Sequence, residues 1–303
     1  MRALIIDPTA PGGLRIADAP DPTPRHDQCL IRVEATSLNR GEVGQIASTA
    51  RGTVLGWDAA GTVIQAARHG GPAVGDRVVT NGPNQGWAEQ RAVHVAELAE
   101  LPAGMDIGLA AALPVAGVSA LRALRVPGSL LGRRVLITGA SGGVGRFAVQ
   151  LAHLAGAHVI AIVGSEGRGA GLAKLGADEV VVGIDSIKQP VFAVIENVGG
   201  PMLVTGFRLL EPGGSLVTIG SASGEAATFP PYGTVGAHRS LVGFQMHAEG
   251  GPIGADLAYL AGLVHAGALD PQVSWRGSWQ RAAEAVQLLL DRKINGKAVL
   301  DID

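Results

Sequence analysis

The chain contains little cysteine, little charge and no long apolar run. Cys29 is the single cysteine among 303 residues, which excludes an intramolecular disulfide and any metal site built from several cysteines. Charged residues make up 17% and the formal net charge is −2, so nucleic acid is not an expected partner. No stretch approaches about 18 apolar residues free of glycine and charge, and the N-terminus lacks an apolar leader. We therefore expect no membrane span and a cytoplasmic location.

Apolar side chains and glycine, by contrast, are abundant. Hydrophobic residues make up 47%, which supplies a sizeable core and argues against intrinsic disorder. The 45 glycines predict many tight turns and close backbone contacts. The length is that of one or two domains.

The first third of the chain, up to about Leu101, has the pattern of a β-rich domain. Short apolar or alternating runs are separated by proline, glycine and asparagine turns, which favours a partly open barrel or sandwich. The predicted strands are Ala3–Asp7, Leu14–Ala17, Cys29–Ala35, Gly61–Ala66, Asp76–Thr80 and Ala88–Val95. Asp106 is the expected N-cap of a helix over Ile107–Leu113, and a second helix is predicted over Val118–Leu124.

From Arg134 onward, strands and helices alternate. The predicted strands are Val135–Thr138, Val159–Val163, Glu179–Val182, Ala193–Asn197, Ser215–Ile219 and Leu241–Gln245, and the predicted helices are Gly143–Leu154, Ala170–Leu175, Met202–Leu209 and Gly254–His265. This alternation is typical of a doubly wound parallel sheet, so the predicted fold class is α/β. A final helix, Gln280–Asp291, and strand, Lys297–Ile302, are expected to rejoin the first domain. The predicted domains are therefore 1–115 with 268–303, which is β-rich, and 116–267, which is a Rossmann domain.

The most informative motif is VLITGASGGVG, Val135–Gly145. An apolar strand leads at once into a glycine turn and then into a helix that Gly156 closes. This arrangement aims the free N–H groups and the positive dipole end of a helix at a diphosphate. The residues predicted to bind it are Ala140, Ser141, Gly142, Gly143, Val144 and Gly145. Ala140 stands in the first glycine position, but the strand–turn–helix context still predicts a dinucleotide site.

The end of the second strand indicates which dinucleotide is bound. A site for NAD usually has an acidic residue there to bind the ribose 2′-hydroxyl, whereas this chain has Gly164. Ser165 can donate a hydrogen bond to a 2′-phosphate, and Arg168 can pair with it. Glu166 is a competing candidate for the ribose contact, and a structural pair between Arg168 and Glu166 is the alternative. We favour NADPH.

Seven short segments, in order along nearly the whole chain, resemble the zinc-independent quinone oxidoreductases of the medium-chain dehydrogenase/reductase superfamily. They are Ser37–Asn39, Leu55–Val63, Val74–Val78, Gly86–Glu89, Ala111–Pro114 with Gly117–Ala120, Lys174–Asp178 and Gly296–Leu300. The resemblance implies a GroES-like β-rich domain that holds the substrate, a Rossmann domain that holds NADPH, and a homodimer joined through the last Rossmann strand.

The resemblance also implies further cofactor contacts. Asn39 would lie near the nicotinamide ribose and Ser119 on the nicotinamide side. Asn197, Gly220 and Ser221 follow the fourth and fifth Rossmann strands, where open α/β sheets bind ligands. Phe244 and Met246 would give backbone hydrogen bonds to the carboxamide, with plain core packing as the alternative.

The departures from the zinc-dependent relatives concern the metal. Those relatives have a His-Glu pair where this chain has Trp57-Asp58, and they have cysteine ligands that this chain lacks. The eight histidines show no ligand spacing, so we predict no zinc. Without a Lewis acid, reduction of a quinone or an α,β-unsaturated ketone is easier than oxidation of an unactivated alcohol, because charge spreads onto a conjugated oxygen.

The sequence identifies no proton donor. The pocket candidates by position are Asn39, Arg40, Gln45, Trp57 and Tyr232, although a surface loop is the favoured place for Tyr232. Asp58 and Glu42 are expected to be structural and paired with nearby arginines. The leading hypothesis is an NADPH-dependent reductase of quinones or enones. An enoyl-reductase-like or cyclising enzyme of secondary metabolism and a non-catalytic NADPH-binding redox sensor are the alternatives.

Overall fold

The residues described by this computed structural model, 1–248 and 251–303, form two units, each with one main sheet. The first unit comprises Met1–Val118 and Gly251–Asp303, and the second comprises Ser119–Gly250. Among the described residues, no helix combines the length and the hydropathy needed to cross a bilayer.

The first unit is built on a largely antiparallel sheet. The strands of this sheet are β3 (Gln28–Leu38), β4 (Asp58–Gln65), β5 (Arg77–Asn81), β6 (Gln90–His94), β7 (Leu98–Glu100), β14 (Val273–Ser278) and β15 (Lys297–Asp301). The strands β1 (Arg2–Ile6) and β2 (Leu14–Asp18) pair as a two-stranded sheet of their own. Its helices are α1 (Arg40–Gln45), α2 (Ile107–Ala111), the start of α3 (Pro114–Arg125), α6 (Gly254–His265) and α7 (Ala282–Leu290). The long strand β3 pairs with β4, β6 and β15, so the last strand of the chain is joined directly to the segment that leads to Asn39.

The second unit is a parallel sheet with the Rossmann strand order. Its strands are β8 (Arg134–Ile137), β9 (His158–Val163), β10 (Glu179–Val182), β11 (Val191–Glu196), β12 (Leu210–Thr218) and β13 (Ser240–Gly243), and its helices are α4 (Gly143–Leu154) and α5 (Gly200–Arg208). The strands lie in the order β10-β9-β8-β11-β12-β13, so the chain builds outward to one side of β8 and then, from β11, to the other side. Ligands bind at such a switch point between β8 and β11. The GroES-like plus Rossmann fold that the sequence predicted is confirmed.

The helix predicted over Ala170–Leu175 is wrong. Turns occupy that segment, after a single 3₁₀ turn over Glu166–Gly169. Four glycines stand between residues 167 and 176, and Gly171 and Gly176 have positive φ angles of 81° and 103°. Their conformational freedom outweighs the apolar pattern that suggested a helix.

Other differences concern elements with weak local signals. The helix α1 and the strands β7 and β14 are present although the sequence analysis did not predict them. The helix α6 belongs to the first unit, where it contacts β7, whereas the predicted division placed it in the Rossmann domain. An isolated helical pattern does not reveal which sheet the helix covers.

Candidate active site

The glycine turn after β8 brings the backbone as close to α4 as the motif requires. A Cβ on Gly145 would lie 2.6 Å from the Cα of Ala140, and a Cβ on Gly142 would lie 3.3 Å from the oxygen of Gly139. The N–H of Ala140 donates to the oxygen of Ile162 at 3.1 Å, which ties the turn to β9. α4 begins at Gly143, so its free N–H groups face the space above the turn. This cradle fits a pyrophosphate.

Polar groups converge where β8, β11 and β12 end. The backbone N–H of Asn197 donates to Thr138 Oγ1 at 2.9 Å, and the side chain of Asn197 donates from Nδ2 to the Thr138 oxygen at 2.9 Å. A Cβ on Gly220 would lie 3.0 Å from the Asn197 oxygen, and Ser221 follows directly. The predicted residues Asn197, Gly220 and Ser221 therefore share one sheet edge with the glycine turn.

The buried carboxyl of Glu196 holds this edge together. Its Oε1 accepts hydrogen bonds from Thr138 Oγ1 at 2.9 Å and from the N–H groups of Val198 and Gly199 at 2.9 and 3.0 Å. Burial raises the pKa of Glu196 above its ordinary value, and the hydrogen bonds oppose that rise. Sequence analysis missed Glu196 and Thr138, because the contact between them joins residues 58 positions apart.

The residues at the end of β9 are those expected of a site that binds a phosphorylated ribose. Gly164 is exposed, and a Cβ added there would meet nothing within 4 Å. Ser165 is also exposed, and the half-buried Arg168 donates from Nε to Ser141 Oγ at 3.0 Å. A second guanidinium, that of Arg146, donates to the Ser141 oxygen at 3.3 Å. Two arginines thus converge on one serine of the glycine turn.

The segment after β13 is held in place by hydrogen bonds to its own backbone groups. The N–H of Phe244 donates to the Thr218 oxygen at 3.1 Å. The buried Arg122 donates from Nη1 to the oxygen of Met246 at 2.8 Å, and Met246 itself is buried. Ser119 is buried on α3. The Met246 oxygen is therefore already used by a side chain of the protein.

In the first unit, a buried cluster surrounds Asn39. Asp58 Oδ2 accepts hydrogen bonds from Ser37 Oγ and from Asn39 Nδ2, each at 2.7 Å. Lys297 Nζ donates to Asn39 Oδ1 at 2.6 Å and forms an ion pair with Asp58 Oδ2 at 3.5 Å. Asp58 is fully buried and Lys297 is 2% exposed. The ion-pair partner of Asp58 is thus a lysine, whereas the sequence predicted an arginine; the buried Arg91 acts on Asp58 only through its charge.

Glu42 completes this cluster from α1. Its Oε1 accepts from the N–H of Asn39 at 2.8 Å and from Asn39 Nδ2 at 3.1 Å, and its Oε2 accepts from the N–H of Trp57 at 2.7 Å. Burial, followed by the neighbouring charge of Asp58, raises the pKa of Glu42 to about 8. Burial lowers the pKa of Lys297, and it lowers the pKa of the nearby Arg91 to about 10.

The remaining pocket candidates are more exposed. Arg40 and Gln45 are exposed at the two ends of α1, and Trp57 is half-buried. Trp57 covers Gly41, where a Cβ would lie 2.8 Å from the indole ring. Tyr232 is 86% exposed and has a φ of 61°. Tyr232 therefore lies on the surface, in the kind of loop that the sequence analysis favoured for it.

No group of three or more His, Cys, Asp or Glu side chains that could hold a metal ion occurs within residues 1–248 and 251–303. Where the resemblance implies a His-Glu pair in zinc-dependent enzymes, this chain has the indole of Trp57 and the ion-paired Asp58. The side chains of Trp57 and Asp58 do not offer the three converging ligands that zinc requires.

Comparison with known proteins agrees with this architecture. The sequence model "Alcohol dehydrogenase GroES-like domain" matches residues 25–124, and "Zinc-binding dehydrogenase" matches residues 143–252. The chain is 36% identical to the chloroplast envelope quinone oxidoreductase homolog of Arabidopsis thaliana, over 62% of this chain and 61% of that protein. It is 29% identical to the acryloyl-coenzyme A reductase of Sulfurisphaera tokodaii, over 73% of this chain and 77% of that protein.

A solved structure of similar fold carries a nicotinamide cofactor. A mycobacterial protein in complex with NADPH superposes with a TM-score of 0.87 at 26% identity, over 99% of this chain and 100% of that chain. The fold and the two matched models define a chain with a GroES-like domain and a dehydrogenase-type Rossmann domain. The chain belongs to the medium-chain dehydrogenase/reductase superfamily, as a quinone-oxidoreductase-like member.

Proposed function

We propose that this chain is an NADPH-dependent oxidoreductase that transfers a hydride to a quinone or an α,β-unsaturated carbonyl without zinc. The chain spans about 61% of the length of the Arabidopsis relative. The named activities of the two relatives, on quinones and on an acryloyl thioester, support the class of electron-poor acceptor.

The choice of NADPH as the cofactor depends on the residues at the end of β9. Gly164 leaves open space where an acidic residue would repel a 2′-phosphate, and Arg168 stands beside it on Ser141. Planar guanidinium groups bind phosphate through paired hydrogen bonds, so Ser165 and Arg168 suit the extra phosphate of NADPH. The exposed Glu166 makes NADH the competing cofactor.

The proposed cofactor residues fall into groups that match the parts of the dinucleotide. Ala140, Ser141, Gly142, Gly143, Val144 and Gly145 would hold the pyrophosphate, and Asn197, Gly220 and Ser221 would line the neighbouring strand ends. Asn39, Ser119, Phe244 and Met246 would serve the nicotinamide half. When bound, NADPH supplies the hydride, and the protein orients an acceptor against it.

The proposed assembly is a homodimer through β13. This strand lies at the edge of the parallel sheet, where its outer N–H and C=O groups are available for pairing. Leu241 is 44% exposed on the same strand. A cytoplasmic location stays a prediction.

Steady-state oxidation of NADPH tests the function. Purified protein is offered a panel of quinones, enones and an enoyl thioester, with a saturated ketone as the control acceptor. We expect turnover of conjugated acceptors with NADPH preferred over NADH, and no turnover of the saturated ketone. Tight NADPH binding with no turnover of any acceptor would instead support the non-catalytic binding protein.

A further inference from the structure

We propose that Arg146 is a positioning residue that sets the affinity for a 2′-phosphate by holding the loop after β9 (residues 166–176) against the glycine turn. The inference rests on the proposed function, in which Arg168 of that loop binds the extra phosphate of NADPH. It gives the helix α4 a part in the choice between the two dinucleotides. Arg146 acts through Arg168, because it fixes the backbone that carries this second guanidinium.

The guanidinium of Arg146 joins two segments of the second unit that are distant in the sequence. Its Nε donates to the Ser141 oxygen at 3.3 Å, and its Nη2 donates to the Ala170 oxygen at 3.0 Å. Ser141 belongs to the glycine turn, and Ala170 directly follows the 3₁₀ turn Glu166–Gly169 that contains Arg168. The planar fork of an arginine holds two acceptors in a fixed relation to each other. The loop is therefore tied to the glycine turn by its own backbone.

The loop after β9 depends on tertiary contacts for its shape. Residues 170–176 form turns, and Gly171 has a φ of 81°. The chain passes directly over the arginine there, since a Cβ on Gly171 would lie 3.8 Å from Arg146 Nη1. Leu172 is fully buried and anchors the next residue of the loop by its side chain. Because glycine leaves many backbone conformations open, loss of the Arg146 contact should loosen the loop around Arg168 while Leu172 keeps it attached.

The two arginines meet at one serine. Arg168 donates from Nε to Ser141 Oγ at 3.0 Å, and Arg146 donates to the backbone oxygen of the same residue. Ser141 is 2% exposed. Arg168 thus binds a residue that Arg146 holds, and it stands in a loop that Arg146 holds at Ala170. The effects of the two arginines on a bound phosphate should therefore be coupled, as expected of residues in one hydrogen-bond network.

The burial and the position of Arg146 indicate that its surroundings suit an anion. Arg146 is 6% exposed, and a buried guanidinium is costly unless hydrogen bonds compensate it. It is the fourth residue of α4, whose first turn contains no acidic residue. The positive end of a helix dipole disfavours a cation there and favours an anion. Two guanidinium groups beside that helix end become favourable when a ligand brings the negative charge of a 2′-phosphate.

The experiment is a double-mutant cycle on cofactor preference. Calorimetry gives the Kd of NADPH and of NADH, which differ only in the 2′-phosphate, for the wild type, Arg146→Met, Arg168→Gln and the double variant. We expect each single variant to lower the preference for NADPH about tenfold, the effect of one hydrogen bond to a charged group. The double variant should also lose about tenfold, whereas two independent contacts would lose about a hundredfold. NADH should bind all four proteins alike.

The matched control is Arg134→Met. Arg134 lies in the same unit, its side chain is 28% exposed, and its Nη2 lies 3.2 Å from Glu179 Oε1. It begins β8, whereas the glycine turn follows the other end of that strand. We expect this variant to keep the preference of the wild type, so that loss of a partly buried arginine is not in itself the cause of any effect.

The other outcomes of the cycle overturn the inference. If Arg146→Met keeps the preference of the wild type, the loop does not need this arginine. A hundredfold loss in the double variant would mean that Arg146 meets the phosphate by itself, and equal losses for both dinucleotides would mean that it only supports the fold. If Arg146→Met lacks a cooperative thermal transition, Arg146→Lys replaces it in the cycle, because lysine keeps the charge but has one donating nitrogen in place of two.

The wild type separates this inference from the proposed function. A wild type that prefers NADPH while the cycle fails refutes the role of Arg146 alone. A wild type that binds both dinucleotides without preferring NADPH refutes the proposed cofactor, and the role of Arg146 with it. A wild type that binds neither dinucleotide refutes the proposed function as a whole.

Discussion

Arg168 donates a hydrogen bond from Nε to Ser141 Oγ across 3.0 Å, and so joins the loop after β9 to the glycine turn after β8. This contact places a positive charge beside the proposed 2′-phosphate site. We expect Arg168→Gln to weaken NADPH binding about tenfold or more while NADH binding changes little, because only NADPH has the charge that the arginine would meet. Calorimetric titration of both dinucleotides checks this, with the exposed Arg208→Gln as control. Equal losses for both dinucleotides would show that Arg168 only orders the loop.

Gly164→Asp should reverse the cofactor preference. The site has room for a side chain, since nothing lies within 4 Å of an added Cβ. A carboxylate there repels a 2′-phosphate and accepts from a 2′-hydroxyl. We expect kcat/KM to fall at least tenfold with NADPH and to rise with NADH. Gly164→Ala fills the same space without charge, and it should keep the preference of the wild type. An aspartate variant that still prefers NADPH would contradict the assigned site.

Gly145→Ala should damage both stability and dinucleotide binding. The added methyl would lie 2.6 Å from the Cα of Ala140, so α4 must move away from the glycine turn. We expect the free energy of unfolding to fall by about 1–3 kcal/mol, as for an overpacked core, and the affinity for NADPH to fall with it. Urea unfolding and fluorescence titration measure the two effects. Gly164→Ala, which meets no atom, is the control, and an equally small effect in both variants would argue against a close turn.

Glu42 should make stability decrease as the pH rises. Its pKa is about 8 in the folded chain, raised by burial from an ordinary value of 4.5, so the folded state binds a proton that the unfolded state releases. The unfolded state therefore binds fewer protons between these two values, and stability falls with rising pH across that window and levels off above it.

Urea midpoints measured across this window test the prediction for Glu42. Glu42→Gln cannot titrate, and its profile should be flatter than that of the wild type. Glu225→Gln removes an exposed carboxyl and should leave the slope in place. A wild-type profile as flat as that of Glu42→Gln would mean that Glu42 is ionised throughout, held by Lys297 and Arg91.

Activity should survive a strong chelator. The described residues, 1–248 and 251–303, contain no cluster of three or more His, Cys, Asp or Glu side chains that could hold a metal ion, and Trp57 and Asp58 stand where the resemblance implies a His-Glu pair in zinc-dependent enzymes. We expect kcat to be unchanged after dialysis against the chelator, with elemental analysis of the active enzyme as the second measurement. Stoichiometric zinc that is lost together with activity would refute the zinc-independent chemistry.

Local patterns predicted the parts of the site that neighbouring residues build. The turn from Val135 to Gly145 was predictable because strand, glycines and helix follow one another within one segment. The segment after β9 shows the limit of such reasoning. Its chemistry at Gly164, Ser165 and Arg168 is readable, but the glycines that follow replace a helix with turns.

Contacts between distant segments were not predictable from those patterns. Thr138 donates to Glu196, and Arg146 donates from Nη2 to the Ala170 oxygen at 3.0 Å. No periodic pattern in the sequence links the two residues of either pair. The ion pair of Asp58 is an example. We predicted an arginine partner, whereas the ion-pair partner is Lys297, which lies 239 positions away in the sequence.

The sequence by itself determined the family, the alternation of strands and helices in the second unit and the glycine turn between β8 and α4, because glycine spacing and apolar periodicity act over short distances. Only the tertiary structure decided that Lys297 meets Asn39, since these residues are separated by 258 positions and are brought together by the pairing of β15 with β3. It likewise placed α6 in the first unit. Burial of charge and the pairing of distant strands depend on the whole fold, and no local window contains them.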